Sequence, residues 1–575
     1  MSKISNQDIA RIIHEIAVYL EMQEIAFKPR AYEKVADIID GLEESVSEIY
    51  KRDGLKALQE IPGVGASIAE KIEEFLKTGR LKYYEELKKK IPVDLESFSG
   101  VEGLGPKGIL KLYKKLGVKT LGDLESTAKA GKISKLEGFG KKSEENILKG
   151  IEFVKTSGGR IILGYAMPQV REIESQLNRL KGVEKLVVAG SVRRRKETIG
   201  DIDMLVISDN SKFVMDYFIS MPEVLRVFAH GDTKSAIKLK SGLDVDLRVV
   251  PKESYGAALN YFTGSKNHNI ALRELAIKKG YKLNEYGLFK GGKQVAGDSE
   301  ESIYLALGLV YIEPEIRENT GEVEAAKKRE LPSLIGYGDL RGDLQIQTNW
   351  TDGANSIEEM AKAAMARGLE YIVITDHTKR LAMMGGLDEK KIQLQWKEID
   401  KVNAKLKGKI KILKGSECDI LKDGSMDLRD DVLAKLDVVG ASVHSYFNLS
   451  RDEQTHRIKK AIENPNVDIV FHPTGRMINK REAYDVDMDE IIKSAKRTKT
   501  VLEIDAFPDR SDLKDEYIRK CVESGVKMSI DSDAHSVTHL PYLEYGIAQA
   551  RRGWAEKKDI INTQSVDKML KSLKS

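Results

Sequence analysis

Residues 190–206 read Gly-Ser-Val-Arg-Arg-Arg-Lys-Glu-Thr-Ile-Gly-Asp-Ile-Asp-Met-Leu-Val, and this stretch decides the fold of the middle of the chain. Asp201 and Asp203 alternate with apolar residues, a pattern typical of a β-strand anchored in a core. Because alternate side chains of a strand share a face, both carboxylates point the same way. Two adjacent acids repel each other unless a cation lies between them. The stretch therefore predicts a strand with a pair of acids at one end.

A third acid follows on a later strand. Asp244 and Asp246 lie on one face of that strand, so either can supply it. Three carboxylates suit a pair of Mg²⁺ ions, which take their remaining ligands from water and phosphates. The Gly190–Ser191 turn and the arginines after it can hold a triphosphate through backbone N–H groups and planar guanidinium groups. The same basic run is also compatible with a solvated surface.

This arrangement of turn, acid pair and third acid resembles the nucleotidyltransferase superfamily. The next segments narrow the resemblance to the family X DNA polymerases, the group of DNA polymerase beta. They are Tyr261-Phe262-Thr263-Gly264-Ser265, then Asn269 and Arg273, then Asn284-Glu285-Tyr286. The resemblance covers roughly residues 1–316, and its motifs occur in family order.

The resemblance implies a role for each matching residue. Asp201 and Asp203 would ligate two Mg²⁺ ions, with Mn²⁺ as a substitute, and Asp246 would ligate the ion nearer the primer. The residues implied to hold the triphosphate are Arg160, Gly190, Ser191, Arg194 and Gly200. Those implied to contact the sugar, the base or the template are Tyr261, Phe262, Gly264, Asn269 and Arg273. Lys266 replaces an acid found in some relatives, so base contacts there are expected to differ.

The composition of the 575 residues indicates a protein without a membrane anchor. Hydrophobic residues make up 41% of the chain and charged residues 32%, enough for proper cores with a highly charged surface. No apolar run approaches the ~20 residues that span a bilayer, and no signal peptide pattern is present. Because Cys418 and Cys521 are the only cysteines, a disulfide framework is not expected. We expect a cytoplasmic monomer.

A short phrase ending in Gly-x-Gly occurs three times in the amino-terminal part. Its glycines are Gly63 and Gly65, Gly103 and Gly105, and Gly138 and Gly140. Each phrase precedes a helical pattern, so the N–H groups at the helix start can bind a phosphate. Between Lys107 and Lys155 there are twelve lysines but only six acids, although the net charge of the chain is only +4. The repeats resemble the helix-hairpin-helix, which binds the DNA backbone without reading sequence.

The segment from Lys28 to Ala36 and the helix with Lys71 resemble the lyase domain of the same polymerase family. In such relatives the lysine matching Lys71 forms a Schiff base with a 5′-deoxyribose phosphate, which requires a lowered pKa. Lys28 and Lys34 are candidate neighbours that could lower it. Phe27, however, stands where the family has a histidine. We therefore expect binding of the 5′-phosphate of a gap rather than lyase activity.

The carboxy-terminal half follows a charged segment, residues 317–334, that is predicted to be a linker. Beyond it, apolar strands alternate with helical patterns, which predicts βα units that form a barrel. Six of the nine histidines follow residue 370, and His377, His444, His472 and His535 each come just after a strand. Because the carboxyl ends of parallel strands converge, these side chains together with Glu417 and Asp533 predict a site for several metals. His456 and His539 lack this context and are expected at the surface.

This half resembles the PHP (polymerase and histidinol phosphatase) domain, a distorted barrel that holds three metals, often Mn²⁺ or Zn²⁺, and acts as a 3′–5′ exonuclease in these polymerases. Its first motif is normally His-x-His, but here Gln345 and Gln347 occupy both positions. A carboxamide is a weak ligand for a transition metal. The first metal would keep only Glu417 and Asp533. The second would use Glu417, His444 and His472, and the third Asp352, His377 and His535. We expect impaired exonuclease activity with one to three metals bound.

The sequence therefore predicts a multidomain protein with an α-helical helix-hairpin-helix part, an α+β nucleotidyltransferase palm with a thumb, and an α/β distorted (βα)7-type PHP barrel. The expected boundaries are 1–90, 91–155, 156–255, 256–316, 317–334 and 335–575. The predicted function is gap filling on primer–template DNA with dNTP substrates in base excision repair. Two alternatives stay open: a template-independent nucleotidyltransferase, and a polymerase whose PHP half is only a structural or DNA-binding module.

Overall fold

The computed structural model describes residue 4 and residues 6–25, 27–40, 42, 44–99, 101, 104–156 and 160–574. Their secondary structure forms a helical part up to residue 156, a mixed part over residues 160–328, and a parallel barrel from residue 342 onwards. Among these residues no helix is both long enough and apolar enough to cross a membrane. The predicted multidomain architecture is confirmed.

The amino-terminal part is helical because its apolar residues recur at helical spacing. Ile9, Ile12, Ile13 and Ile16 are buried on one side of the first helix. One continuous apolar core extends from there to Ile151, across the expected boundary at residue 90. The helices are α1 (Asn6–Met22), α2 (Lys28–Asp40), α3 (Val46–Gln59), α4 (Ala66–Thr78), α5 (Lys82–Lys90), α6 (Leu95–Ser99), α7 (Pro106–Leu116), α8 (Leu121–Lys129) and α9 (Lys141–Thr156).

The Gly-x-Gly phrases form turns between these helices. The first glycine of the first and third phrases, Gly63 and Gly138, has a φ of +79° and +84°, values that favour glycine. The second glycine stands directly before a helix: Gly65 before α4, Gly105 before α7 and Gly140 before α9. Gly103 lies outside the described residues. The turns are thus built as a helix-hairpin-helix requires, with N–H groups at each helix start.

The palm is a five-stranded sheet in the order β2-β4-β7-β6-β5, with a separate two-stranded pair, β1 and β3. Its strands are β1 (Ile161–Ile162), β2 (Val183–Val188), β3 (Thr198–Ile199), β4 (Asp201–Ser208), β5 (Val224–His230), β6 (Lys234–Leu239) and β7 (Asp244–Val249). Its helices are α10 (Leu163–Asn178), α11 (Gly190–Arg193) and α12 (Ser211–Ser220). Strands β4 and β7 run parallel, so both begin at the same edge.

Strand β4 is buried on both faces. Ile202, Met204 and Val206 pack into one apolar cluster, while Leu205 and Ile207 pack into another on the opposite side. Asp201 is exposed and Asp203 is half-buried at the start of the strand, Ser208 is half-buried at its end, and the other residues are buried. This burial fixes the register of β4, because a shift by one residue would bury the acids.

The thumb packs helices against a small antiparallel sheet. Its elements are α13 (Tyr255–Thr263), α14 (Lys266–Lys278), β8 (Lys282–Asn284), β9 (Gly287–Lys290), β10 (Lys293–Ala296), α15 (Glu300–Ala306) and α16 (Glu322–Lys328). Helix α16 lies inside residues 317–334, which the sequence assigns to a linker. The charges that made this segment look solvated are buried in pairs: Arg317 with Glu300, and Glu322 with His268.

The carboxy-terminal part is a nearly closed parallel barrel. Its strands follow each other in chain order as β11 (Gly342–Ile346), β12 (Tyr371–Ile374), β13 (Lys411–Asp419), β14 (Val438–Ser442), β15 (Ile469–Val470), β16 (Val501–Asp505) and β17 (Met528–Asp531). The helices around it are α17 (Ile357–Ala366), α18 (Glu389–Leu406), α19 (Asp430–Leu433), α20 (Arg451–Glu463), α21 (Met488–Thr498), α22 (Asp515–Ser524), α23 (Leu543–Arg552) and α24 (Val566–Ser572). The Gln347 N–H donates to Ala534 O (2.9 Å) and joins the first strand to the last.

Charged side chains join the barrel to the palm and the thumb. Arg476 of the barrel pairs with Glu197 of the palm at 2.7 Å. Arg551 of α23 pairs with Glu315 before α16 at 2.8 Å. These pairs are largely buried, so they are screened less than surface pairs.

Candidate active sites

Three carboxylates meet at the edge where β4 and β7 begin. Asp201 and Asp203 lie at the start of β4, and Asp246 of β7 stands opposite Asp203 in the parallel register. Burial, together with the neighbouring carboxylates of Asp201 and Asp246, raises the pKa of Asp203 to about 6. The three predicted acids are therefore close together. The nearby arginines, Arg248 and Arg194, do not offset the burial of Asp203 and its repulsion by the other two acids.

Asp244 and Asp246, the two candidates for the third acid, have different surroundings. Asp244 stands opposite Asp201 and is paired with Lys238 at 2.6 Å. Asp246 is held more loosely, with Lys234 at 3.6 Å and Arg248 at 3.8 Å. The geometry favours Asp246, because it faces Asp203 and its carboxylate is not committed to a short ion pair.

The raised pKa of Asp203 predicts a pH-dependent stability in metal-free buffer. The folded protein holds a proton on Asp203 up to about pH 6, whereas the ordinary value is 3.8. Folding is therefore favoured below pH 4 relative to pH 7, and the difference is lost as pH rises through 6. With EDTA at pH 7.5, Asp203→Asn should raise the free energy of unfolding by about 3 kcal/mol, because the difference between 3.8 and about 6 is worth ~1.4 kcal/mol per pKa unit. Thermal unfolding of both proteins from pH 4 to pH 8 measures this.

Excess Mg²⁺ serves as the control, because a bound cation neutralises the cluster and should remove the advantage of the variant. Equal unfolding midpoints for the two proteins at pH 7.5 in EDTA would contradict the crowding of charge inferred here.

The Gly190–Ser191 turn lies against the acid cluster. Gly190 begins α11 with a φ of +59°, and a side chain there would overlap the Asp203 carboxylate. Glycine is required on both counts. The hydroxyl of Ser191 is buried and has no hydrogen-bond partner among the described residues. A buried hydroxyl without a partner costs free energy, so it fits a site that receives a polar ligand.

The two predicted triphosphate arginines have protein partners in this structure. Arg194 donates through Nε to Glu318 (3.1 Å) and through Nη1 to the carbonyl oxygen of Thr263. Arg160 donates through Nε to the Thr198 hydroxyl (3.0 Å), beside Gly200. Arg194 must therefore exchange a carboxylate for any phosphate that it binds.

The residues predicted to contact the nucleotide and template lie on α13 and α14. Asn269 Nδ2 donates to the carbonyl oxygen of Tyr261 (2.7 Å), and Arg273 Nε donates to the carbonyl oxygen of Asn269 (3.3 Å). The Arg248 guanidinium lies 4.6 Å from the Phe262 ring centre. Because Arg248 also approaches Asp246, it links α13 to the acid cluster. Gly264, between the two helices, has a φ of +70° and lies next to Arg194.

Lys71, the candidate Schiff-base lysine, lies on α4. Its Nζ donates to the hydroxyl and carbonyl oxygens of Ser67 (2.9 and 3.0 Å), and burial lowers its pKa. Lys34, a predicted neighbour, instead donates to the carbonyl oxygen of Gly353 in the barrel (3.2 Å). Burial rather than a neighbouring cation is therefore what perturbs Lys71.

The predicted metal ligands converge at one end of the barrel. Asp352, His377 and His535 can offer ligand atoms within 4.8 Å of one another, and so can His377, Glu417 and His444. His472 Nε2 lies 2.8 Å from the Glu417 carboxylate, on the same oxygen that His444 approaches to 3.1 Å. The second and third predicted ligand sets thus lie on the same rim of the barrel. His377 is a member of both clusters whose ligand atoms lie within 4.8 Å of one another.

Charges in this rim favour cations. Burial works against ionised imidazoles, but Glu417 raises the pKa of His444 to about 9, and Asp352 raises that of His535 to about 10. The Nδ1 atoms of His377, His444 and His472 are buried and have no hydrogen-bond partner in the part of the chain that the structure describes. Imidazole nitrogens beside carboxylates are suitable donors for Mn²⁺ or Zn²⁺, so the residues present fit at least one such ion.

The first predicted ligand set is different, because Gln347 binds both of its acids. Gln347 Nε2 donates to Glu417 (2.7 Å) and to Asp533 (3.3 Å), and its amide oxygen accepts from Thr375 (3.1 Å). The Gln345 amide, oriented to satisfy both groups, donates to Glu503. An N–H group thus lies between the two carboxylates that would share the first metal.

Arg510 also enters this centre, and the sequence analysis did not single it out. It lies 3.4 Å from Asp533 and 3.5 Å from Asp505, so a fixed cation stands beside the first ligand set. Glu503 and Asp505 lie on β16, and burial raises the pKa of both well above the ordinary range. Their position near the end of β16 was the sequence signal that could have placed them in the site. No histidine follows that strand, so the pattern used for the other strands did not find them.

The expectation for His539 was wrong. Its side chain is buried, stacks on Tyr542 and contacts the edge of Phe507. It lies four residues after His535 and accepts a hydrogen bond from the His535 N–H at Nδ1 (3.3 Å). Aromatic packing beyond the last strand, invisible to a strand-end pattern, buries it. His456 is exposed on α20, as expected.

Four stretches of the chain match known families. They are a helix-hairpin-helix domain over residues 4–81, a SAM-like helix-hairpin-helix tandem over residues 95–152, a DNA polymerase beta thumb over residues 258–318 and a PHP domain over residues 343–566. These ranges cover the helical part, the thumb and the barrel described above.

Relatives extend the match along the whole chain. The DNA polymerase/3′-5′ exonuclease PolX of Bacillus subtilis (strain 168) is 39% identical over 565 residues, which covers 97% of this chain and 98% of that protein. DNA polymerase lambda of Arabidopsis thaliana is 28% identical over 305 residues, 46% of this chain and 54% of that protein. A probable phosphatase of Thermoanaerobacter sp. (strain X514) is 30% identical over 219 residues, 36% of this chain and 84% of that protein. The chain therefore belongs to the family X DNA polymerases that carry a PHP domain.

Proposed function

We propose that this DNA polymerase fills short gaps during base excision repair, adding dNTPs to a primer opposite a template. The observation that carries the proposal is the meeting of Asp201, Asp203 and Asp246 beside the Gly190–Ser191 turn. The helix-hairpin-helix turns would grip the DNA backbone on both sides of the gap, with an affinity that falls as salt rises.

The acids would hold two Mg²⁺ ions, or Mn²⁺ in their place. When bound, such ions lower the pKa of the primer 3′-hydroxyl and neutralise the triphosphate and the leaving pyrophosphate. Asp201 and Asp203 would help to hold both ions, and Asp246 would help to hold the one nearer the primer. Their mutual repulsion, seen in the raised pKa of Asp203, makes the cluster receptive to divalent cations.

The remaining residues would orient the nucleotide. The N–H groups of the Gly190–Ser191 turn and the Ser191 hydroxyl face the triphosphate, with Arg194 and Arg160 on either side. Tyr261 and its carbonyl oxygen, fixed by Asn269, would line the sugar and leave no room for a 2′-hydroxyl. Arg273 extends this wall toward the template base.

Primer extension on a one-nucleotide gap tests the function. We expect incorporation of the dNTP complementary to the template, and little addition to a single-stranded primer. Comparable addition without a template would instead support the template-independent nucleotidyltransferase.

Lys71 is proposed to bind the 5′-phosphate of the gap rather than to act as a lyase. Lys71→Ala should weaken binding to a gap with a 5′-phosphate about fivefold, the value of one exposed charge-assisted contact, and should not change binding to a gap with a 5′-hydroxyl. Fluorescence anisotropy with the two DNAs measures this. A borohydride-trapped adduct with a 5′-deoxyribose phosphate, absent in the variant, would contradict the proposal and establish the lyase.

For the barrel, we propose one or two bound Mn²⁺ or Zn²⁺ ions and an impaired 3′–5′ exonuclease. Its support is the Gln347 amide between Glu417 and Asp533, the place where the first of the three predicted metals would need two imidazoles. The alternative is a barrel that only positions DNA and has no exonuclease activity. Elemental analysis of the purified full chain counts the bound metals, and Mn²⁺-dependent digestion of a primer distinguishes the two.

The proposed location is the cytoplasm, supported by Cys418 and Cys521, which are buried and unpaired. The proposed monomeric state is checked by the molar mass in solution.

A further inference from the structure

A buried arginine of the barrel reaches the polymerase site. Arg552 is the last residue of α23, and its side chain is 3% exposed. Its Nη1 donates to the backbone carbonyl oxygen of Arg194 (3.0 Å) and to the Glu318 carboxylate (3.2 Å). Asp515, at the start of α22, holds its Nη2. The barrel therefore contacts Arg194, which follows α11, the short helix that begins at the Gly190–Ser191 turn.

Glu318 is shared between two guanidinium groups. Its Oε1 accepts from Arg552 Nη1 and also from Arg194 Nε, at 3.1 Å. Burial acts to raise the pKa of Glu318, but Arg552, Arg194 and Lys196 together hold it below the ordinary value. The carboxylate is therefore ionised, and the two arginines compete for it.

This competition determines how firmly Arg194 is held. A triphosphate can draw Arg194 away from Glu318 only if the carboxylate keeps another cation, because a buried carboxylate without a partner is costly. Arg552 supplies that second cation and cannot move with the nucleotide, since Asp515 anchors it from the barrel.

We propose that Arg552 is a positioning residue for the incoming nucleotide, which acts by keeping Glu318 neutralised while Arg194 transfers to the triphosphate. The inference rests on the proposed role of Arg194. It makes the PHP half necessary for nucleotide binding even where its own metal chemistry is impaired.

Steady-state gap filling by full-length variants tests the proposal. Arg552→Met should raise the KM for dNTP roughly tenfold, the equivalent of one charge-assisted hydrogen bond, with a smaller change in kcat. Adding Glu318→Gln to this variant removes the carboxylate that traps Arg194 and should restore most of the lost KM. Arg552→Lys keeps the charge, so its KM for dNTP should lie between those of the wild type and Arg552→Met. It replaces Arg552→Met in the test if that variant folds poorly.

Arg551→Gln is the matched control. Arg551 precedes Arg552 and joins the barrel to Glu315 and Ile335 O, but not to Arg194. An equal rise in KM for Arg551→Gln and Arg552→Met, or no recovery with Glu318→Gln, would overturn the proposal and leave only domain docking. Arg194→Gln separates the two layers of inference: if its KM for dNTP equals that of the wild type, the triphosphate role itself fails.

Discussion

Replacing Asp203 with alanine should abolish nucleotide addition, with kcat/KM reduced by at least ~10³-fold. Losses of this size are typical when a group that stabilises transition-state charge is removed. Asp203 is the acid that faces both Asp201 and Asp246, so its loss removes a ligand from both proposed ions. Single-turnover incorporation on gapped DNA measures the effect.

DNA affinity should stay within about twofold in the same variant, because the backbone contacts are assigned to the helix-hairpin-helix part. Asp244→Asn is the control. Asp244 lies on the same face of β7, two residues before Asp246, but its carboxylate is already paired with Lys238. We expect near wild-type incorporation from it. If Asp203→Ala keeps substantial activity, or if Asp244→Asn loses as much as Asp203→Ala, the assignment of the three acids is wrong.

Replacing Gln345 and Gln347 together with histidine should raise exonuclease activity. Two imidazoles would take the places of two amides that now donate to Glu503 and to the pair Glu417 and Asp533. With those ligands the first metal set becomes complete, so we expect about one more Mn²⁺ per chain. The rate of Mn²⁺-dependent primer digestion should rise ~100-fold, the scale at which metal-centre ligation affects activity.

The single variants Gln345→His and Gln347→His should gain little, because each leaves one amide in the centre. Adding His472→Ala to the double variant should abolish the gain, since His472 binds the shared Glu417. A wild-type protein that already digests primers robustly with Mn²⁺, and loses this activity with His472→Ala, would contradict the proposed impairment.

Much of the fold follows from local patterns. The alternation around Asp201 and Asp203 predicts β4 because a strand buried on both faces needs apolar residues on each. The repeated Gly-x-Gly phrases predict their turns because a positive φ requires glycine at Gly63 and Gly138. Residues 317–334 could not be predicted in this way. Their charges, such as those of Arg317 and Glu322, are buried by partners distant in sequence.

In the candidate sites too, local patterns predict some residues, and contacts between distant parts of the chain place the others. His377, Glu417 and His444 follow or end successive strands, so the barrel topology alone brings them together. Arg510 and His539 escaped prediction because a loop and an aromatic cluster, not a strand end, place them in or beside the centre.

By itself, the sequence determined which residue types were available: a trio of acids beside a Gly-Ser turn, repeated phosphate-binding turns, and a barrel rim in which two glutamines stand where imidazoles are usual. Only the tertiary structure decided how those groups are partnered. It commits Asp244 to Lys238, places the Gln347 amide between Glu417 and Asp533, and brings Arg552 onto Glu318. The physical reason is that charge and hydrogen-bond pairing depend on distance in space, which sequence spacing fixes within an element but not between domains.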